Sequence, residues 1–194
     1  FISAGTGIAI CAVVFIAMKA RSARRYANFY SLFVRSCTRI LLPMALLLAV
    51  CLVFNDTPMT LQGKDSMISL EGDTVAVSRG PVAAFVAIKQ LGTNGGGFFG
   101  VNSAHPFENP SYLTNILENI SIFLIPISML FALGYVLKRR KLAWTIFGVM
   151  SLGFLLLCIP SIFHEMKGNP AFRQMEIAQD MGSMEGKEMR FGAA

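Results

Sequence analysis

Gly92-Thr93-Asn94-Gly95-Gly96-Gly97-Phe98-Phe99-Gly100 interrupts an otherwise apolar chain and follows directly on a helix-forming segment, residues 81–91. As a helix that segment covers about 16 Å, roughly half of the ~30 Å hydrocarbon core of a bilayer. A helix starting at one face therefore stops near the middle, and the glycines leave the next residues free to turn their carbonyls. Irregular backbone at that depth is tolerated only where it is buried in protein or lines a water-filled cavity. A half-spanning helix (81–91) followed by such a loop (92–97) is an arrangement that lets carbonyl oxygens replace an ion's hydration shell.

The rest of the chain has a membrane composition. Hydrophobic residues make up 54% of the 194 residues and charged residues 14%, and mean hydropathy is +0.58. Apolar runs cover residues 1–18, 40–54, 116–137 and 142–163, and the last two are long enough to span unaided. The second is short and is expected to extend back through 29–38, with Arg35 and Arg39 snorkelling to the interface. The first starts at residue 1 with neither methionine nor a basic n-region, so it reads as neither a signal peptide nor a natural start. The expectation is a piece of a longer polytopic chain.

Charge orients these spans. Lys19, Arg21, Arg24, Arg25, Arg35 and Arg39 lie between the first two, and Lys138, Arg139, Arg140 and Lys141 between the last two. Neither connection holds an acid, so all 11 acids lie elsewhere, and the ten positive charges of these turns against a balance of minus four in the rest of the chain give the net charge of +6. The positive-inside rule makes both turns cytoplasmic and sends residues 55–112 and the 164–194 tail outward. The basic balance is thereby explained by topology. No basic face interleaved with stacking aromatics points to nucleic acid.

The expected order is thus a span (1–18), a basic turn and interfacial helix start (19–39), and a complete unit at 40–137. That unit holds a span at about 36–54, a polar outer loop at 55–80, a short helix at 81–91, a loop at 92–97 and a span at about 110–137. A basic turn (138–141), a further span (142–163) and an outer loop (164–194) follow. Gly80-Pro81 is expected to start the short helix with proline at its first position, and Asn109-Pro110 to start the third span. Pro43 and Pro126 are candidate kinks.

Lys89-Gln90-Leu91-Gly92-Thr93-Asn94-Gly95-Gly96-Gly97-Phe98-Phe99 leads on to Asn102-Ser103-Ala104-His105-Pro106-Phe107-Glu108-Asn109-Pro110. With Gly80-Pro81-Val82-Ala83 upstream and Met184-Glu185-Gly186-Lys187-Glu188, Arg190-Phe191-Gly192 downstream, these runs resemble the potassium-binding A subunits (KdpA) of bacterial Kdp-type potassium-transporting ATPases. The opening Phe1-Ile2-Ser3-Ala4-Gly5-Thr6-Gly7-Ile8-Ala9 is similar to that family's helix after its first filter. Gly100 stands where the family often has asparagine, beyond the filter. The resemblance covers nearly the whole chain.

The resemblance implies an all-α polytopic membrane protein of the potassium-channel-like superfamily, built from four pore-loop repeats around one path. This chain would carry the end of repeat one, all of repeat two and the first helix of repeat three. It implies a subunit for high-affinity potassium uptake across a bacterial inner membrane, the ion arriving from outside. Its partners would be a P-type ATPase catalytic subunit and single-span accessory subunits. ATP hydrolysis would belong to the catalytic partner, and this chain shows no G-x-x-x-x-G-K-[ST] pattern. Potassium would be the transported ion, with no organic cofactor. A passive potassium channel or a Trk/Ktr-type transporter has the same pore-loop architecture and is separated from the pump only by the family match. A structural membrane scaffold is the non-transport alternative.

The residues nominated for potassium are Gly92, Thr93, Asn94, Gly95, Gly96 and Gly97, supported by Lys89, Phe98, His105 and Glu108; no catalytic residue is nominated. All the glycines are expected to supply a positive φ or a close approach, and the C-terminal end of the 81–91 helix favours a cation. Thr93 and Asn94 add side-chain oxygen or buttress the loop. The bland alternative is a glycine-rich connector between packed helices. Gly95-x-Gly97-x-x-Gly100 is formally a dinucleotide motif, but it lacks the preceding strand and following helix that such a site needs. His105 has no companion at ligand spacing and reads as a hydrogen-bonded residue at the filter mouth. Glu108 reads as a charge favouring the helix N-terminus at Asn109, with ion binding as the alternative. Glu118 is either a functional intramembrane acid or an outer-interface residue bonded to a neighbouring helix. Lys89, a cation near a cation path, requires an acid that the sequence does not identify. Cys11, Cys37, Cys51 and Cys158 lie in or beside apolar runs without C-x-x-C spacing and read as small buried residues.

Overall fold

The computed structural model describes residues 1–20, 27–68, 72–93, 96–100 and 103–166. Arg21, Arg24, Arg25, Asn94, Gly95, Asn102 and the 167–194 part of the outer tail lie outside them. The chain is mostly helical: α1 (Ile2–Lys19), α2 (Phe29–Ser36), a π-helical turn (Cys37–Leu41), α3 (Leu42–Val53), α4 (Val82–Gly92), α5 (Tyr112–Val136) and α6 (Arg140–Met166), with strands β1 (Lys64–Ile68) and β2 (Thr74–Ser78). Four helical stretches are long and apolar enough to cross a membrane: Ile2–Lys19, Phe29–Val53, Tyr112–Val136 and Arg140–His164. The protein is a polytopic membrane protein. It divides into two compact units, Phe1–Thr6 with Val34–Ile122, and Gly7–Phe33 with Phe123–Ala194.

The second span starts earlier than residue 36 and passes through a π turn whose cause is Pro43. Proline offers no N–H and its ring crowds the carbonyl four residues back, here Arg39. The ladder widens at that point, and the Leu42 N–H reaches the Cys37 carbonyl, five residues back. Pro43 then falls in the first turn of α3, where a missing N–H is harmless. Pro126 and Pro160 lie inside α5 and α6.

The core of the first unit is the α3–α4 contact. Ala45, Leu48 and Leu52 of α3 meet Val82, Ala83, Val86, Ala87 and Leu91 of α4. Their three- and four-residue spacings put each set on one helix face, and the alanines allow close approach.

Two features depart from the outer-loop expectation. Lys64–Ile68 and Thr74–Ser78 pair as antiparallel strands, with Lys64 opposite Ser78 and Ile68 opposite Thr74. Thr74-Val75-Ala76-Val77 is a β-favouring run overshadowed in the sequence by surrounding turn residues, and an Arg79–Asp65 ion pair at 3.1 Å closes the base of the strand pair. Pro81 is the N-cap of α4 and not its first helical residue. No side chain caps this end. The Ala83 N–H bonds the Pro58 carbonyl at 3.0 Å, so the loop satisfies a donor that the helix start leaves open.

In the second unit the 138–141 turn is tighter than expected, because α6 already begins at Arg140. Lys138 is left-handed at φ 55°. Its N–H bonds Tyr135 at 3.1 Å and that of Arg139 bonds Gly134 at 2.9 Å, a Schellman closure. A Cβ on Gly134 would lie 2.6 Å from that of Ala143, so glycine is what lets α5 and α6 meet at this turn. Phe131 and Trp144 pack edge to face above it, 5.0 Å apart.

Candidate functional site

α4 ends at Gly92, and the residue that turns the chain is Thr93, left-handed at φ 56° with its N–H on the Gln90 carbonyl at 3.3 Å. A β-branched residue there is an outlier, and it holds the turn that sequence reasoning assigned to glycine. The glycines accordingly differ in role. Gly92 remains helical, and a Cβ on it meets nothing within 4 Å, so the expectation that it supplies positive φ or close approach is corrected. Gly96 has φ +96°, a conformation that L side chains rarely adopt. Gly97 is closed by contact: a Cβ would lie 2.2 Å from the Gly100 carbonyl oxygen and 2.8 Å from Glu108 Oε1. Asn94 and Gly95 lie outside the described residues.

Behind this segment runs a buried polar chain. Glu108 is fully buried. Its Oε1 accepts the Phe99 N–H at 2.8 Å, and its Oε2 lies 3.3 Å from Lys89 Nζ. Lys89 also donates to the Ser103 hydroxyl, which accepts from Gln90 Nε2 at 3.1 Å. Gln90 donates in turn to Glu118, likewise fully buried. Lys89 thereby finds its acid: Glu108. Lys89 and Gln90 are adjacent in the last turn of α4, share Ser103 and reach different acids.

Glu108 is consequently not the N-terminal charge of α5. Asn109 is not its cap either. Ser111 and Thr114 cap that helix reciprocally, the Thr114 N–H on Ser111 Oγ at 3.2 Å and the Ser111 N–H on Thr114 Oγ1 at 3.0 Å. Asn109 is buried one step further in, accepting from Thr114 Oγ1 at 2.7 Å and donating to Asn115 Oδ1 at 2.9 Å. A serine after Asn-Pro, with threonine three residues on, was the sequence signal for this cap. Glu118 bonds Gln90 of the neighbouring helix α4.

On the other side of the segment stands an aromatic stack. Phe98 fills the space over Gly80, where a Cβ would come within 2.5 Å of its ring. Phe99 lies against Phe98 at 4.9 Å and stacks on His105 at 3.9 Å. His105 Nδ1 accepts the Phe107 N–H at 3.1 Å, which leaves the ring proton on Nε2. Its carbonyl accepts from Glu108 and Asn109 at 2.9 and 3.1 Å. Among the described residues no group of three His, Cys, Asp or Glu could hold a metal ion.

Ser103 escaped sequence reasoning. It is fully buried and left-handed at φ 50°, and nothing local marks it as the joint between Lys89 and Gln90. The arrangement can fix the backbone of residues 97–99 near the negative end of a short buried helix. The partial negative charge of that helix end favours a cation.

A family described as "Potassium-transporting ATPase A subunit" matches residues 1–194. Proteins named "Potassium-transporting ATPase potassium-binding subunit" align along the chain: 58% identical over 194 residues in Flavobacterium psychrophilum, 59% over 194 in Flavobacterium johnsoniae, and 41% over 192 in Geobacillus kaustophilus. The first two cover 100% of this chain and the third 99%. In each case the chain spans 34% of the relative's length. With the family's match running from the first residue to the last, this chain belongs to the potassium-transporting ATPase A subunit family.

Proposed function

We propose that this chain supplies one wall of a potassium-selective path in an ATP-driven uptake complex of a bacterial inner membrane. Gly92, Thr93, Asn94, Gly95, Gly96 and Gly97 are the filter segment, and Phe98, Lys89, His105 and Glu108 hold it. A P-type ATPase catalytic subunit hydrolyses ATP, and single-span accessory subunits complete the assembly. The observation that carries this reading is Gly96, held at φ +96° a few residues past a buried helix end. That conformation serves a backbone whose carbonyls do the binding. One strand furnishes only part of a coordination shell, so the other walls come from parts of the full-length protein outside this chain.

The test is ion-stimulated ATPase activity of the purified full complex against potassium, rubidium and sodium. Gly96→Ala forces a Cβ into a conformation costing about 1–2 kcal/mol, in open space, so assembly is retained. Potassium KM is expected to rise about tenfold, with weaker rejection of rubidium and sodium. Parental KM and ion preference would remove the filter assignment.

Sidedness follows from charge. Both basic turns are cytoplasmic and the β1–β2 strand pair is outside. In intact cells an impermeant thiol reagent is expected to label Lys64→Cys and leave Lys138→Cys unmodified until the membrane is opened. The reverse pattern inverts the topology.

A further inference from the structure

Lys89 and Gln90 are neighbours in the last turn of α4, and each reaches a different acid on a different segment. Lys89 meets Glu108 on the stretch after the filter segment at 3.3 Å. Gln90 donates to Glu118 in α5. The Ser103 hydroxyl accepts from both. We propose that Lys89 and Gln90 form a two-armed clamp, with Ser103 as its joint, that positions the C-terminal turn of α4 and so sets ion discrimination by the adjoining segment. This inference rests on the filter reading above.

Stability alone is a poor account of the arrangement. A buried ion pair replaced by well-packed apolar residues is often neutral or stabilising, so an apolar pair would hold α4 as firmly. It would not hold the filter segment. Glu108 spends its second oxygen on the Phe99 N–H at 2.8 Å, and its carboxylate lies against Gly97, close enough that a Cβ there would sit 2.8 and 3.0 Å from its two oxygens. The acid therefore fixes the backbone on both sides of Phe98, and Lys89 fixes the acid. An apolar residue at 108 accepts nothing, which leaves the Phe99 N–H without its partner and residues 96–99 free to shift. Because carbonyls replace a hydration shell at fixed distances, discrimination is sensitive to such shifts. These are positioning residues: none is assigned contact with the ion.

Paired substitutions in the assembled full-length complex test this. Lys89→Met with Glu108→Leu keeps volume and removes every polar contact of the first arm. Gln90→Met with Glu118→Leu does the same for the second. Each is expected to assemble, to raise potassium KM about tenfold or more, and to bring rubidium- and potassium-stimulated ATPase rates closer together. Lys89→Gln with Glu108→Gln is the conservative rescue: it removes charge, keeps an acceptor for Phe99, and is expected to recover affinity and preference relative to the apolar pair. Parental KM and ion preference in either apolar pair overturns the clamp. Should an apolar pair fail to assemble, Ser103→Ala, which removes the joint and strands no charge, decides: a raised KM supports the clamp and a parental one overturns it. Failure of the filter reading is seen separately, as parental ion preference in Gly96→Ala.

Discussion

Lys89→Met is expected to destabilise the protein by about 3–5 kcal/mol, the cost of stranding one partner of a buried ion pair. Glu108 is fully buried and would keep only the Phe99 N–H among its two strong contacts. Ser103 would lose a donor too, retaining Gln90. A lysine-to-methionine exchange preserves most of the side-chain volume, so packing is not the cause. The measurement is the thermal midpoint and assembled yield of the detergent-purified full complex. Adding Glu108→Leu to Lys89→Met should return most of the loss, because the stranded charge is then gone. A single substitution costing less than about 1 kcal/mol, the level of an exposed pair, would mean that the two charges are not buried together.

Gly97→Ala is expected to have the largest effect among the glycines. Its Cβ would lie 2.2 Å from the Gly100 carbonyl oxygen, which is backbone and cannot swing aside, and 2.8 Å from Glu108 Oε1. Relieving that overlap requires moving either the 97–100 turn or the acid that holds Phe99. Overpacking of this kind costs about 1–3 kcal/mol or more, and here the displacement falls on the filter segment itself. Loss of both yield and potassium-stimulated ATPase activity is expected. Gly92→Ala is the contrast. Its Cβ meets nothing within 4 Å and its backbone is helical, where alanine is favoured over glycine by about 1 kcal/mol. Its assembled yield should match or exceed the parent's. Equal damage from both substitutions would show that residue type, and not the local geometry, decides.

Local pattern and composition carried much of this protein. Runs of apolar residues of spanning length are a property of the chain, so four membrane-crossing helices could be read without a fold. Breakers are equally local: the half-length helix ending near residue 92 follows from an apolar stretch between Gly80-Pro81 and a glycine cluster. The β1–β2 strand pair was lost because its β-favouring run is short and framed by turn residues, and cross-strand pairing is not a local property. Pro43 was legible as a disturbance, while its resolution as a π turn depended on where the Cys37 carbonyl could reach.

What only the tertiary structure decided is which groups share a burial site. The sequence required an acid for Lys89 without identifying it; the structure supplies Glu108, 19 positions away. Charge demands a partner without saying which one, because the choice depends on where the chain returns after the 93–107 segment. Gly92, Gly96 and Gly97 are identical as letters. One is helical, one turns through a positive φ and one is closed by a carboxylate, since a missing Cβ acquires its meaning from whatever lies opposite. Ser103 is the plainest case: its hydroxyl joins two side chains 13 and 14 residues earlier, a relation that exists only once the loop has folded back over α4.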